Sequence, residues 1–171
     1  FGRVVRLDHP CHDHAPAVCV LDTGVNRGHP LLAPALAAAD AQTINSEWGS
    51  ADDYRQHGTQ MAGIALFGCL TEAFSTTGAL SLQHRLESIK FLPPPPRANA
   101  PKDYGPFTLQ AVALAEIQAP DRNRAICMAV TADDRDLGMP SLWSGAVDQL
   151  CSGADDDVHR LMFISAGNLR E

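Results

Sequence analysis

The chain has 171 residues, of which 45% are hydrophobic, and it carries a formal net charge of -7. This length corresponds to about one domain, with enough apolar residues for a sizeable core. The acidic balance argues against a nucleic-acid partner and against an anionic membrane surface. No apolar run approaches the roughly 20 residues that a membrane span requires, so we expect no membrane association.

Four apolar runs are typical of strands in a sheet that is covered on both faces. In chain order they are residues 17–21 (AVCVL), 86–92 (LESIKFL), 125–130 (AICMAV) and 161–165 (LMFIS). Residues 1–16 contain two prolines and are expected to form an irregular lead-in. The domain is therefore predicted to span residues 17–171.

Helical patterns lie between these runs. Residues 57–70 place apolar or small side chains on one helical face, a second stripe follows Pro106, and a third follows Pro140. Strands that alternate with helices predict parallel strands joined by right-handed crossovers. The predicted fold class is α/β, with a doubly wound parallel sheet.

Asp22 ends the first of these runs, in the stretch VCVLDTG. Active sites of doubly wound sheets gather beyond the carboxyl ends of the strands, and Gly24 lets the backbone turn away sharply. Asp22 is therefore a candidate catalytic carboxylate, or else a turn cap. The same letters resemble the Asp-Thr-Gly stretch of aspartic proteases, which pair two such motifs in an all-β chain. This sequence has one copy and helical patterns, which argues against that alternative.

Two further motifs carry polar residues at the ends of predicted elements. In HGTQMAGIALFG (57–68), His57 begins a helix, where the macrodipole disfavours the imidazolium form and keeps the ring available as a neutral base. The small residues Gly58, Ala62 and Gly63 permit close backbone approach. In FISAGN (163–168), Asn168 follows a strand, where its amide could donate to a developing oxyanion. The alternative interpretations are a surface or capping histidine and a turn asparagine.

Together, VLDTGV, HGTQMAGI and ISAGN resemble the motifs of the subtilisin-like serine proteases (subtilases, peptidase S8) in identity, order and strand–helix context. The resemblance implies a serine endopeptidase with an Asp–His–Ser catalytic triad, an oxyanion hole and a subtilisin-like three-layer sandwich. It implies that Asp22 orients and stabilises the imidazole, that His57 is the general base, and that Asn168 donates to the oxyanion. No organic cofactor is implied.

The resemblance also implies that the segment after AICMAV lines the substrate cleft. Val130, Thr131 and Ala132 are then expected to pair with an extended polypeptide substrate as an added strand does. The family's glycine-rich run is replaced here by residues 129–132, followed by Asp133 and Asp134. These two acids either favour a basic substrate side chain or form a solvated turn.

The chain departs from the family at the nucleophile. The family's Gly-Thr-Ser motif has no counterpart, since the one Gly-Thr, Gly58-Thr59, precedes a glutamine. Ser144 and Ser165 lack the context of a nucleophile elbow. We therefore expect a domain truncated on its C-terminal side, inactive alone, whose exposed sheet promotes self-association. The alternative is a non-catalytic peptide- or partner-binding module, a pseudo-protease.

Cysteine and histidine spacings indicate no metal or disulfide site. The five cysteines match no zinc or disulfide framework, so we expect free thiols and favour a reducing, cytoplasmic compartment. DHPCHDH (8–14) offers zinc-ligand types at no standard spacing, and the acidic runs 51–53 and 154–157 lack calcium-loop spacing. We predict no bound metal.

Overall fold

The structure, a computed structural model of the chain, describes residues 7–8, 15–75, 80–132 and 139–167. In these ranges the strands are Leu7–Asp8 (β1), Ala17–Asp22 (β2), Ala41–Thr43 (β3), Leu80–Ser81 (β4), Arg85–Lys90 (β5), Arg124–Met128 (β6) and Leu161–Ile164 (β7). The α-helices are His57–Phe67 (α1), Leu70–Ser75 (α2), Tyr104–Gln118 (α3) and Leu142–Ser152 (α4). Short 3-10 turns occupy Ala38–Asp40, Ser46–Trp48 and Pro101–Asp103.

Five of the strands form one parallel sheet in the order β3-β5-β2-β6-β7. The central strand β2 pairs with β5 along its whole length, from Ala17 opposite Arg85 to Asp22 opposite Lys90. β1 and β4 form a separate parallel pair. The predicted α/β class with a parallel sheet is confirmed.

Helices cover both faces of this sheet. Because side chains alternate along a strand, neighbouring residues of β2 enter different cores. Leu21 belongs to the core beneath α3 and α4, whereas Val20 belongs to the core beneath α1. The result is a three-layer sandwich, as in the subtilisin-like fold.

One crossover differs in hand from the sequence-based expectation. The connections β3–α1–β5, β5–α3–β6 and β6–α4–β7 all advance in the same direction across the sheet. α1 covers one face, whereas α3 and α4 cover the other. Crossovers in one direction share a hand only if their helices share a face, so the α1 connection is opposite in hand to the other two. The prediction that all crossovers are right-handed is therefore wrong for this sheet.

Some element boundaries also differ from the predicted ones. The helix predicted over 57–70 ends at Phe67, because Gly68 caps it with a positive φ of 63°. The half-buried edge strand β3 has only three residues, too few for a recognisable pattern. Within the predicted irregular lead-in, residues 7–8 pair as a strand. The domain boundaries remain predictions.

None of the helices in the described ranges has the length and apolar character that a membrane span requires.

Candidate active site

Asp22 and His57 meet at the carboxyl edge of the sheet. Asp22 is the last residue of β2 and His57 the first of α1, and 2.8 Å separate Asp22 Oδ2 from His57 Nδ1. The side chain of Asp22 is 1% exposed, whereas that of His57 is 47% exposed. An ionised carboxylate can only accept a hydrogen bond, so Nδ1–H donates to Asp22 and Nε2 is the nitrogen left to exchange protons with another group.

Two glycines allow the end of β2 to approach the first turn of α1. Gly24 has a φ of +103°, and a Cβ there would lie 2.3 Å from the carbonyl oxygen of Ala51. A Cβ on Gly58 would lie 2.1 Å from the carbonyl oxygen of Gly24. Gly63 was also predicted to permit close approach, but within the described part of the chain no neighbouring atom would lie within 4 Å of a Cβ added there. Of these two helix glycines, Gly58 is therefore the one that serves the contact.

Thr23 satisfies the second oxygen of Asp22. Asp22 Oδ1 accepts from the backbone N–H of Thr23 at 2.7 Å and lies 3.1 Å from its hydroxyl. Each oxygen of the buried carboxylate therefore has a partner, which offsets part of the cost of removing the charge from water.

Asp53 is a further carboxylate at the site, and it was not predicted from the sequence. Its Oδ1 accepts from the hydroxyl of Thr23 at 2.7 Å, and its Oδ2 accepts from the backbone N–H and the hydroxyl of Thr59 at 2.8 and 2.7 Å. Burial raises the pKa of Asp53, but the hydrogen bonds from Thr59 and Thr23 outweigh it, so the pKa lies below its ordinary value. The available signal was a carboxylate four residues before a predicted helix start.

Lys90 is a buried lysine opposite Asp22 in the sheet, and it too was missed. Its ammonium group donates to the carbonyl oxygens of Trp48, Ser50 and Asp52 at 3.3, 2.9 and 3.2 Å. Burial lowers the pKa of Lys90. Lys90 thereby holds the loop that leads into Asp53 and α1.

The family model described as the Subtilase family (Peptidase_S8) matches residues 13–170, nearly the whole chain. The chain belongs to the subtilase family. Comparisons with curated proteins and with solved structures give no significant match. The recognition made from three short motifs is confirmed, and by family this subtilase is a protease, that is, a hydrolase.

A cavity of about 290 Å³ adjoins the residues just before His57. Val130 and Thr131 line it, but Ala132, the third predicted cleft residue, does not. Its other walls are mostly aromatic and apolar, with two arginines and an asparagine: Tyr54, Arg55, Phe91, Leu92, Pro93, Arg97, Ala98, Asn99, Tyr104 and Trp143. Asp133 and Asp134 lie outside the described residues.

Asn168 also lies outside the described residues, so its position relative to His57 stays a prediction. β7, the strand of its motif, ends at Ile164. The two serines near apolar elements have structural contacts in this subtilase. Ser144 and Ser141 form a reciprocal capping box at the start of α4, and the backbone N–H of Ser165 donates to the carbonyl oxygen of Met128.

Metal-ligand types do not cluster in the described part of the subtilase. It contains no group of three or more His, Cys, Asp or Glu side chains placed to hold a metal ion. Of the cysteines, Cys19, Cys69, Cys127 and Cys151 are free thiols. Residues 9–14, which contain zinc-ligand residue types at no standard spacing, lie outside the described residues.

Proposed function

We propose that this subtilase is the Asp–His portion of a serine-type endopeptidase that hydrolyses peptide bonds through an Asp–His–Ser triad. The observation that carries the proposal is the 2.8 Å contact between a buried Asp22 and a half-exposed His57 at the carboxyl edge of the sheet. Buried on one side and open on the other, the imidazole is oriented by a carboxylate and accessible to a substrate.

Each member of the pair has a defined role in this proposal. Asp22 fixes the tautomer of His57 with the proton on Nδ1 and stabilises the imidazolium that forms during the reaction. His57 Nε2 takes the proton of the serine hydroxyl as general base and returns it to the leaving amine as general acid. The serine belongs to a Gly-Thr-Ser motif, which these 171 residues lack.

The proposed substrate is an extended polypeptide. Its backbone pairs with residues 130–132, and one of its side chains enters the cavity that Val130 and Thr131 line. A volume of about 290 Å³ and walls that are mostly aromatic or apolar suit a large apolar side chain.

The first test compares the 171-residue chain with the same chain joined to the segment that follows it in its gene. Both are treated with a serine-reactive fluorophosphonate probe and assayed on a peptide library. The chain alone should remain unlabelled, with turnover lower on the order of 10⁶, because the nucleophile is missing. Stoichiometric labelling of any serine in the chain alone would overturn the assignment of the nucleophile.

Asn168→Ala in the joined protein tests the proposed oxyanion donor. The charge on the former carbonyl oxygen develops only in the transition state, so kcat should fall by about 10²–10³ while KM changes little. Asn123→Ala, in the turn before β6, is the matched control and should leave kcat unchanged. A joined protein that cleaves peptides equally well with Asn168→Ala lacks the proposed donor.

The second candidate function is a non-catalytic peptide- or partner-binding module, which the missing Gly-Thr-Ser motif favours. This alternative takes over if the joined protein binds peptides, cleaves none and has no serine that the probe labels. The aspartic protease alternative requires an all-β chain, and a parallel sheet flanked by α-helices does not fit it.

A further inference from the structure

We propose that Asp53 is a positioning residue that holds the Asp22 turn against the first turn of α1 and so fixes the contact between Asp22 and His57. It bridges the two segments directly beside the pair. One oxygen accepts from Thr23, the residue after Asp22, and the other accepts twice from Thr59, two residues after His57. The proposal rests on the proposed role of the Asp22–His57 pair.

Asp53 also takes the place of a missing helix cap. Gln56, the N-cap residue of α1, has a left-handed backbone and makes no side-chain capping hydrogen bond within the described part of the chain. The backbone N–H of Thr59 is instead satisfied by Asp53 Oδ2 at 2.8 Å. A negative charge is favoured at this end of a helix, and the lowered pKa of Asp53 agrees with it.

The Thr23 hydroxyl lies between the carboxylates of Asp53 and Asp22 and links them. Thr23 Oγ1 lies 2.7 Å from Asp53 Oδ1 and 3.1 Å from Asp22 Oδ1, but it has a single proton to donate. The shorter contact directs this proton to Asp53, which leaves Asp22 Oδ1 with the backbone N–H of Thr23 as its main donor. Without the Asp53 acceptor, the hydroxyl can turn to Asp22 and compete with His57 for the carboxylate's charge.

The loop that carries Asp53 is itself held in place. Lys90 binds three of its carbonyl oxygens, and the hydroxyl of Tyr54 donates to the carbonyl oxygen of Pro93 at 2.6 Å. The backbone N–H of Arg55 donates to Asp53 Oδ1 at 2.9 Å, which fixes the orientation of the carboxylate. Asp53 is therefore built into a rigid support on one side and contacts the segments of the pair on the other.

The test is a matched pair of substitutions, Asp53→Asn and Asp52→Asn, in the 171-residue chain. Both remove one negative charge from adjacent positions. Asp52 is exposed, its Oδ2 accepts from Ser50 Oγ at 3.1 Å, and in the described structure it contacts neither threonine. The readout is the low-field ¹H NMR resonance of the His57 Nδ1 proton, which requires no peptidase activity.

We expect Asp53→Asn to shift or broaden away the Nδ1 resonance, because an amide cannot accept from both threonines at once. Asp52→Asn should leave the Nδ1 resonance in place. Equal effects of the two variants, or an unchanged resonance in Asp53→Asn, would overturn the proposal.

If Asp53→Asn does not fold, Thr59→Val carries the test. It removes one hydroxyl contact to Asp53 and keeps the contact from the backbone N–H. A smaller change of the Nδ1 resonance in the same direction is expected, and Thr59→Ser should restore the wild-type signal. An unaltered resonance in Thr59→Val counts against the bridge that Asp53 forms between Thr23 and Thr59, here called the Asp53 clamp. Failure of the proposed protease function would show in the labelling experiment and would leave these spectra unaffected.

Discussion

The two ends of the central strands each hold a buried carboxylate with basic partners, but they differ in how those partners meet solvent. At the carboxyl end, Asp22 pairs with His57, whose side chain is 47% exposed. At the amino end, Glu87 pairs with Arg122 and Arg124, whose side chains are 13% and 8% exposed. A buried carboxylate thus belongs to a solvent-accessible site at the carboxyl end and to a solvent-excluded network at the amino end.

The amino-end network surrounds Glu87 with charged donors inside the protein. Arg124 donates to both oxygens of Glu87 at 2.9 and 3.0 Å and also to the carbonyl oxygens of Ala115 and Ala119 at the end of α3. Burial lowers the pKa of Arg124, but the hydrogen bonds and charge of Glu87 outweigh it and raise the pKa overall. These contacts tie β5 and β6 to α3, and they leave neither arginine of the network open to a substrate.

The exposure of the basic partner side chain separates a candidate site from a structural ion pair. Both ends have short contacts and fully buried acids, so neither distance nor burial of the acid distinguishes them. A buried ion pair is in general weak evidence for stability. Substitutions at the carboxyl end should therefore lower activity, whereas substitutions at the amino end should lower stability.

The largest effect is expected for Asp22→Asn in the chain joined to its downstream segment. The amide should leave the fold intact but favour the wrong imidazole tautomer, so kcat should fall by about 10⁴. Peptide hydrolysis measures the loss, and far-UV circular dichroism checks that the protein remains folded. A loss below about tenfold in a folded protein would place Asp22 with the structural carboxylates and break the comparison.

The sequence predicted the Asp22–His57 contact because the carboxyl ends of parallel strands and the starts of the following helices share one edge of a sheet. It could not predict Asp53 or Lys90. Apart from Thr59 and Arg55, their partners are the Thr23 hydroxyl and loop carbonyls that lie 30 or more residues away in the chain, and their convergence depends on the path of residues 48–56. The hand of the α1 crossover was missed because the expectation came from a general rule for crossovers, and no local signal in the sequence contradicts that rule.

At the amino end, Glu87→Gln should act on stability. Removing the charge of Glu87 leaves Arg124 without its carboxylate partner and leaves Arg122 with Asp40 alone. The loss is expected to cost about 3–5 kcal/mol in the free energy of unfolding. Urea unfolding of the 171-residue chain measures this loss of stability. Glu47→Gln, at an exposed position in the 3-10 turn Ser46–Trp48, should change stability by less than about 0.5 kcal/mol. Equal effects of the two variants would mean that the network contributes nothing.

The edge strand β7 exposes apolar side chains, in contrast to the charged residues at the two ends of the sheet. Leu161 and Phe163 are 59% and 60% exposed, and in the described residues β7 pairs with β6 alone. We propose that the chain self-associates through this surface. Phe163→Lys should shift it towards monomer in sedimentation velocity, whereas Leu142→Lys, at an exposed position on α4, should not. A wild-type chain that is monomeric at all concentrations would refute the proposal.

The smallest effect concerns pH and the Asp53 clamp. Because the pKa of Asp53 is lowered in the folded chain, its carboxylate stabilises the fold fully above its unfolded pKa of about 3.9. This contribution is lost as the pH falls through the lower, folded value. The difference in unfolding free energy between wild type and Asp53→Asn, from urea titrations between about pH 7 and about pH 2.5, should therefore be constant near neutrality and shrink below about pH 4. A difference that stays constant over the whole pH range would mean that the hydrogen bonds from Thr23 and Thr59 do not depend on the charge of Asp53. The contribution of the Asp53 clamp to stability would then not be electrostatic.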